Sequence, residues 1–312
     1  MQPVRADGGL QVVATFSILG DLVRNVGGDA ITLQVIVGPD GDAHTFEPSP
    51  EQIGWIADAD LIIENGLGFE PWLDDMVSAS GSSASRVVAT AAITPINRAD
   101  EEDAEAHAEE TVTGEEHDNH EEEGDHDHGE FDPHVWQDVQ NAILQVGTIR
   151  DGLSGADPAQ AARFAGNAEA YLIELQALDA WVRDAVESLP VDQRILFTSH
   201  DAFGYFAQAY GFTILGTALG AISTEAADPS AGEIARLIDA IKASGVPAIF
   251  LETNENDDLM EQIASDAGVT LAPPLHGDAL TEADGVAATY IDLMRSNATT
   301  IVTSLGGTVP SA

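Results

Sequence analysis

Short apolar runs alternate with helical patterns along two long blocks of this chain. In the first block, the runs Leu10–Phe16 and Ile31–Val37 are each followed by a segment that favours a helix. Parallel strands need a crossover connection, usually a helix, so this order predicts an α/β fold with mainly parallel sheets. The predicted strands are Leu10–Phe16, Ile31–Val37, Leu61–Ile63 and Arg86–Thr90, then Arg194–Thr198, Phe212–Leu215, Ala248–Leu251 and Thr270–Ala272.

A long helical segment, Pro158–Leu189, separates the two blocks. It is rich in alanine, it has no internal proline, and Pro190 ends it. A helix of this length spans roughly 45 Å, enough to run the height of a two-lobed molecule. We expect an N-terminal lobe over residues 8–157, a bridging helix over 158–189 and a C-terminal lobe over 190–312. A ligand would bind in the cleft between the lobes, beyond the carboxyl ends of the strands.

Residues 98–130 interrupt the first block with a low-complexity acidic segment. From Glu101 to Glu130 it holds 15 acidic residues and five histidines, with almost no large apolar side chains. Such a segment cannot bury enough apolar surface to fold alone, so we predict a disordered loop. Its interleaved imidazoles and carboxylates favour weak metal binding over a merely solubilising linker. The histidines concerned are His107, His117, His120, His126 and His128.

Composition excludes several kinds of partner and chemistry. The chain has 54 acidic and 11 basic residues, a net charge of −43, so nucleic acid and anionic membranes would repel it while cations would be attracted. It has no cysteine, which excludes disulfides, thiolate metal sites and cysteine nucleophiles. The start, MQPVRADGG, is typical of an initiator Met on a mature N-terminus, and we expect that an export signal was removed.

Four histidines outside the acidic segment lie at predicted element boundaries. His44 and His200 each follow a strand and precede a helix. His134 lies at the first turn of a helix, and His276 lies in the loop after the last short strand. Imidazole is a preferred ligand of zinc, and three imidazoles with one carboxylate fill a tetrahedral shell. A closed shell leaves no position for an activated water, so the pattern favours binding over hydrolysis.

Four motifs carry a resemblance to a known family. They are GDAHTFEPSP, DPHVW, TSHDAFGYFAQAYGF and HGDAL, in this order, with a His/Asp-rich stretch before DPHVW. Together they resemble the cluster A-I metal-binding solute-binding proteins of ABC transporters, which include the zinc-uptake and TroA-like proteins. The resemblance covers essentially the whole chain and implies two lobes bridged by a long, rigid helix. It also implies four metal ligands: His44, His134, His200 and Asp278.

The resemblance further implies a function and a place in the cell. We expect a monomer on the periplasmic or extracellular face of the membrane that captures Zn(II) and delivers it to an ABC transporter permease. Some relatives also receive metal from a metallochaperone, which would be a second partner. Manganese-selective members often have Glu where this chain has His200, so three histidines favour zinc. A manganese-binding homologue is the main alternative, and this chain departs from many zinc-uptake members in lacking a cysteine pair.

Two alternatives come from other functional classes. In a zinc hydrolase, Glu252, which follows a predicted strand, would act as general base. The sequence has no HExxH, GxSxG, P-loop or GxGxxG after a strand, so we expect no enzyme. In a surface adhesin, the metal would serve only structurally.

Other polar residues near the motifs have possible supporting roles. We expect His276 not to be a ligand, because four ligands already close the shell. Asp138 follows His134 by four residues, a helical spacing that would let its carboxylate hold the ring nitrogen that faces away from the metal. The alternative is that Asp138 is a solvated helix acid. Glu47 and Asp201 are similar candidates beside the other histidines.

Overall fold

The computed structural model describes residues 9–97, 130–218, 229–253 and 257–311. The five histidines of the acidic segment, and the weak metal binding predicted for them, therefore lie outside the described residues. Among the helices that are described, none has the length and apolar character needed to cross a membrane.

The first block folds into a parallel sheet with helices between its strands. Its elements are β1 (Leu10–Phe16), α1 (Ser17–Gly27), β2 (Ile31–Val37), α2 (Pro50–Asp58), β3 (Leu61–Glu64), α3 (Leu73–Ser80) and β4 (Ser85–Val88). The strand order is β2–β1–β3–β4, and every neighbouring pair is parallel. All of β3 is buried, as expected for a central strand that is covered on both faces. Helix α2 begins at a capping box formed by Ser49 and Gln52.

Two long helices follow, α4 (Val139–Ala156) and α5 (Ala161–Glu187). Helix α5 has 27 residues, about 40 Å at 1.5 Å per residue, and the short 3-10 turn Pro158–Gln160 precedes it. It packs against α1 and α4 of the first block. The long bridging helix predicted from the sequence is therefore present, slightly shorter at both ends.

The second block repeats the alternation of strands and helices. Its elements are β5 (Ile195–Thr198), α6 (Gly204–Tyr210), β6 (Thr213–Thr217), α7 (Ala231–Ser244), β7 (Ala248–Ile249), α8 (Asp257–Ala267), β8 (Thr270–Leu271) and α9 (Tyr290–Ser304). Strand β5 pairs with β6 and β7 pairs with β8, both in parallel. The backbone N–H of Phe250 donates to Phe197 O at 2.9 Å and connects the two pairs. The predicted α/β class with parallel sheets is confirmed.

The sequence pattern over Thr281–Leu305 predicts a helix, but α9 begins only at Tyr290. The intervening residues form turns, because Gly285 N–H donates to Glu282 O at 2.8 Å. The side chain of Thr289 then caps α9 by accepting from the N–H of Asp292. Local hydrogen bonds of this kind compete with the helix and delay its start.

Two hydrophobic cores hold these elements together. The main core extends from the first sheet through α4, α5 and α9 to α6. A smaller core lies beneath α7 and α8 and includes Phe197, Ile241 and Ile263. The C-terminal lobe is thus divided between a part that shares the main core and an outer part with a core of its own.

Replacing Leu175 with Ala tests whether α5 belongs to the main core. Leu175 is fully buried, so L175A should lower the free energy of unfolding of the metal-free protein by about 2–5 kcal/mol. Ile173, on the same helix, is 64% exposed, and I173A should change it by less than about 0.5 kcal/mol. Urea unfolding followed by circular dichroism measures both variants. Equally small effects would contradict a core role for the helix.

Candidate metal centre

Four side chains from four separate connections converge at one point. His44 lies between β2 and α2, and His134 directly precedes the 3-10 turn Val135–Gln137 before α4. His200 lies just after β5, and Asp278 lies between β8 and α9. One ligand atom from each of the four lies within 4.8 Å of the other three. The structure thus brings together the four residues that the family resemblance implied.

The Nε2 atoms of the three imidazoles surround the carboxylate of Asp278. His44 Nε2 and His200 Nε2 each lie 3.3 Å from Asp278 Oδ2. His134 Nε2 lies 3.4 Å from Oδ1 of the same carboxylate and 3.4 Å from His44 Nε2. Neighbouring ligands of a tetrahedral zinc ion, with bonds of about 2.0–2.1 Å, lie about 3.3–3.4 Å apart. The two distances to Oδ2 and the distance between His44 and His134 equal such an edge, whereas the distance from His134 to the carboxylate is measured to the other oxygen, Oδ1. Ligand atoms of all four residues lie within 4.8 Å of one another, so the four side chains converge on one ion-sized position.

Three of the four clustered side chains are almost completely buried, so the charges on them interact strongly. His134 is 0%, His200 2% and Asp278 7% exposed. Burial raises the pKa of Asp278, but His134 and His200 outweigh burial and hold its pKa well below the usual range. The carboxylate therefore stays ionised at any pH near neutral. A fixed negative charge among imidazoles, screened from water, is an arrangement that attracts a cation.

Asp132, and not Asp138, orients His134. Asp132 Oδ1 lies 2.8 Å from His134 Nδ1 and also accepts the backbone N–H of His134 at 2.8 Å. Burial lowers the pKa of His134, but Asp278 and Asp132 outweigh burial and raise it. The side chain of Asp138 instead caps α4, accepting from the N–H of Gln140.

The predicted pairing of Asp138 with His134 was wrong because it assumed that His134 lies within a helix. His134 has φ −80° and ψ 44° and lies before the first turn. The four-residue spacing therefore does not place the two side chains on one helix face. The sequence did contain a signal for the true partner, since DPHVW has a carboxylate two residues before the histidine.

Glu252 is a second carboxylate that faces a histidine of the cluster. Its Oε2 lies 3.0 Å from His200 Nδ1, and its Oε1 accepts the backbone N–H of His200 at 3.2 Å. Burial lowers the pKa of His200, but Glu252 and Asp278 outweigh burial and raise it well above its usual value. The sequence suggested Glu252 only as the base of a hydrolase. In the structure it faces the nitrogen of His200 that is turned away from the cluster.

The remaining candidates occupy other positions. Glu47 is exposed, so it is not a buried partner of His44, and the role suggested for Asp201 stays a prediction. His276 is buried but is not one of the four clustered residues. Its backbone N–H donates to Asn297 Oδ1 at 2.9 Å, and its carbonyl accepts from Asn297 Nδ2 at 2.8 Å. His276 therefore helps to attach this segment to α9.

The segment that carries the carboxylate of the cluster is bonded to the N-terminal lobe. The carbonyl of Gly277 accepts from Trp136 Nε1 and from Gln137 Nε2, both at 2.9 Å. The backbone N–H of Leu280 donates to Ser17 Oγ at 2.9 Å. These hydrogen bonds cross between the two blocks of the sequence, so they fix this loop relative to the first sheet.

Comparison with known proteins finds metal-binding proteins that match most of the chain. The family model described as "Zinc-uptake complex component A periplasmic" matches residues 12–304. The manganese-binding lipoprotein MntA of Halalkalibacterium halodurans is 35% identical over 298 residues, covering 95% of this chain and 89% of that protein. The iron-binding protein YfeA of Yersinia pestis is 31% identical over 296 residues, covering 95% and 86%.

The zinc-binding protein TroA of Treponema pallidum is similar in both sequence and structure. It is 32% identical over 305 residues, covering 96% of this chain and 90% of that protein. Its solved structure superposes with a TM-score of 0.78 at 30% identity, covering 96% of this chain and 99% of that one. The likeness therefore extends over the whole two-lobed fold.

These relatives are named for three different metals, so membership of the family does not by itself specify the ion. Family members are extracytoplasmic binding proteins that work with the permease and ATPase components of ABC transporters, and they are not enzymes. The hydrolase alternative is thereby excluded. The chain belongs to the Zinc-uptake complex component A family and is a metal-binding solute-binding protein of an ABC transporter.

Proposed function

We propose that this protein captures Zn(II) with high affinity outside the cytoplasm and delivers it to a membrane permease. The observation that carries this proposal is the convergence of three imidazoles and one carboxylate, whose ligand atoms lie within 4.8 Å of one another and form a donor set that suits zinc. The proposed ligands are His44, His134, His200 and Asp278. Zinc favours such an imidazole-rich shell, whereas manganese favours more oxygen. With four protein ligands the shell is closed, which suits carriage of the ion.

The ligands come from both lobes, which gives the site a route to release. His44 and His134 belong to the first block, whereas His200 and Asp278 belong to the second. An ion bound by all four links the two halves of the molecule. Because the Asp278 loop is hydrogen bonded to the first block, movement of the end of β5 that carries His200 on docking to the permease would break the shell and free the ion.

One observation favours manganese as the alternative cargo. Both oxygens of Asp278 face imidazoles, Oδ2 towards His44 and His200 and Oδ1 towards His134. Bidentate binding by this carboxylate would give a five-coordinate site with more oxygen, which is closer to what manganese prefers. MntA, the 35% identical relative, is named for manganese.

Competitive titration with zinc and manganese tests the proposed cargo and site together. We expect one tightly bound zinc per chain, zinc to displace manganese, and a melting temperature that rises with zinc. H134A should weaken zinc binding by more than about 100-fold, because losing a ligand costs more than losing a group that orients one. His276 provides a matched control, since it is buried close by but outside the cluster. H276A should keep tight binding; unchanged affinity in H134A would refute the site.

Zinc affinity should fall steeply on acidification. The pKa values of His134 and His200 are raised in the metal-free protein because the carboxylates beside them outweigh burial. Zinc must displace those protons, so affinity is lost once the pH falls below the raised values, beginning above the usual imidazole pKa of about 6.5. Two protons displaced would give a loss of up to about 100-fold per pH unit.

Isothermal titration calorimetry with zinc across this pH range, in buffers of different ionisation enthalpy, measures both the affinity and the protons released. Asp278, with its lowered pKa, should not contribute a further acid step in this range. A pH-independent affinity with no proton release would contradict coordination by these imidazoles.

A further inference from the structure

We propose that Glu252 is a positioning residue that holds His200 in the tautomer able to bind the ion, and that it thereby sets how tightly zinc is held. The inference rests on the proposed role of His200 as a ligand. The sequence alone had suggested Glu252 only as the general base of a zinc hydrolase.

The side chain of Glu252 is buried behind His200. It is 3% exposed, and its Oε2 lies 3.0 Å from His200 Nδ1. Within the described part of the chain, no aligned hydrogen bond reaches Oε2, although Nδ1 lies within hydrogen-bond distance of it. A buried carboxylate oxygen needs a donor, and the Nδ1–H of this ring is the group within reach.

The other oxygen of Glu252 is already used by two donors. Oε1 accepts from the backbone N–H of His200 and from Ser199 Oγ, both at 3.2 Å. The backbone N–H of Glu252 in turn donates to Ser199 Oγ at 3.1 Å. These bonds limit the rotation of the carboxylate and leave Oε2 as the oxygen that lies beside the imidazole.

This geometry selects one tautomer of the neutral ring. A carboxylate only accepts hydrogen bonds, so the ring proton is held on Nδ1 and the lone pair is left on Nε2. Nε2 is the atom that lies 3.3 Å from Asp278 in the cluster. The opposite tautomer would direct a proton into the metal site and leave Oε2 without a donor.

A similar arrangement occurs at His134, where the ring contact is a hydrogen bond. There Asp132 Oδ1 lies 2.8 Å from Nδ1 and also accepts the backbone N–H of the same histidine. Two unrelated loops thus each pair a buried carboxylate with the Nδ1 of a clustered histidine and with its main chain. Partners of this kind fix ring orientation and raise the basicity of the ligand.

The chain also leaves room for the carboxylate of Glu252 at Gly277, the residue before the Asp278 ligand. A Cβ placed on Gly277 would lie 2.4 Å from Glu252 Oε2 and 3.3 Å from His200 Cε1. A side chain there would displace the carboxylate from the ring. The absence of a side chain lets the Asp278 segment pass directly over the pair.

Glu252→Gln tests the inference with little change of shape. The amide oxygen would remain with the two donors at the Oε1 position, which places the amide NH2 against His200 Nδ1. A donor at that point favours the wrong tautomer, so zinc affinity should fall by about 10–100-fold. The probe is zinc itself, measured by competition with a chromophoric chelator, on the full chain. Asp179→Asn is the matched control, because Asp179 is also buried but pairs with Arg183 and Gln140.

An NMR signal from the His200 ring distinguishes a positioning role of Glu252 from a general contribution to stability. In zinc-bound wild type labelled with 15N-histidine, the Nδ1–H of His200 should give a downfield, slowly exchanging signal, and E252Q should lose it. D179N should keep both this signal and wild-type affinity. The melting temperature of each metal-free variant shows whether it is folded.

Gly277→Ala tests the same contact in a second way, because its added methyl group should displace the Glu252 carboxylate from His200. G277A should also weaken zinc binding, and adding it to E252Q should cost little more, because both changes act on one contact. Wild type that binds no zinc tightly would overturn the proposed function. Tight wild-type binding, with E252Q unchanged in affinity and in the His200 signal, would overturn only the role of Glu252.

Discussion

The structure around the metal centre depends on a single buried carboxylate. Asp278 lies within 3.4 Å of three imidazole nitrogens that come from widely separated parts of the chain. Its negative charge is shielded from water, so its interaction with those rings is strong, and an unbalanced charge there would be costly. Protons on the imidazoles balance it in part, and in the proposed function a bound cation would take their place. Proton and metal therefore compete for the same nitrogens.

The surrounding fold holds this charge in place. The loop before Asp278 is hydrogen bonded to Trp136 and Gln137, which lie in the 3-10 turn just after His134. On the other side of the cluster, Trp72 Nε1 donates to Ala43 O at 2.8 Å and fixes the loop that carries His44. These contacts make His44, His134 and Asp278 parts of one frame around the main core. His200 and Glu252 follow β5 and β7, which contribute Phe197 and Ile249 to the smaller core and Leu196 and Ala248 to the main one.

Much of this arrangement was predictable from residue patterns. The alternation of strands and helices specified the α/β class, and the long alanine-rich segment specified the bridging helix. The four motifs, through their family resemblance, pointed to four residues that do converge. Predictions from helical spacing were wrong where the local backbone is not helical. Helical spacing offered Asp138 as one candidate partner of His134, with a solvated acid as the alternative, but that histidine precedes the helix. Helix α9 starts late because turns at Glu282 and Gly285 replace its predicted first residues.

The sequence by itself determined which residues offer imidazole and carboxylate groups, and it placed them at the boundaries of predicted strands and helices. Periodicity and motifs are local properties, and these groups could be recognised from their immediate neighbours. Only the tertiary structure decided which carboxylate serves which histidine. Glu252 is separated from His200 by 52 positions along the chain, and the space it needs is provided by Gly277 from a third loop. Such a contact depends on how separate strands pack side by side, and no short stretch of sequence records that packing.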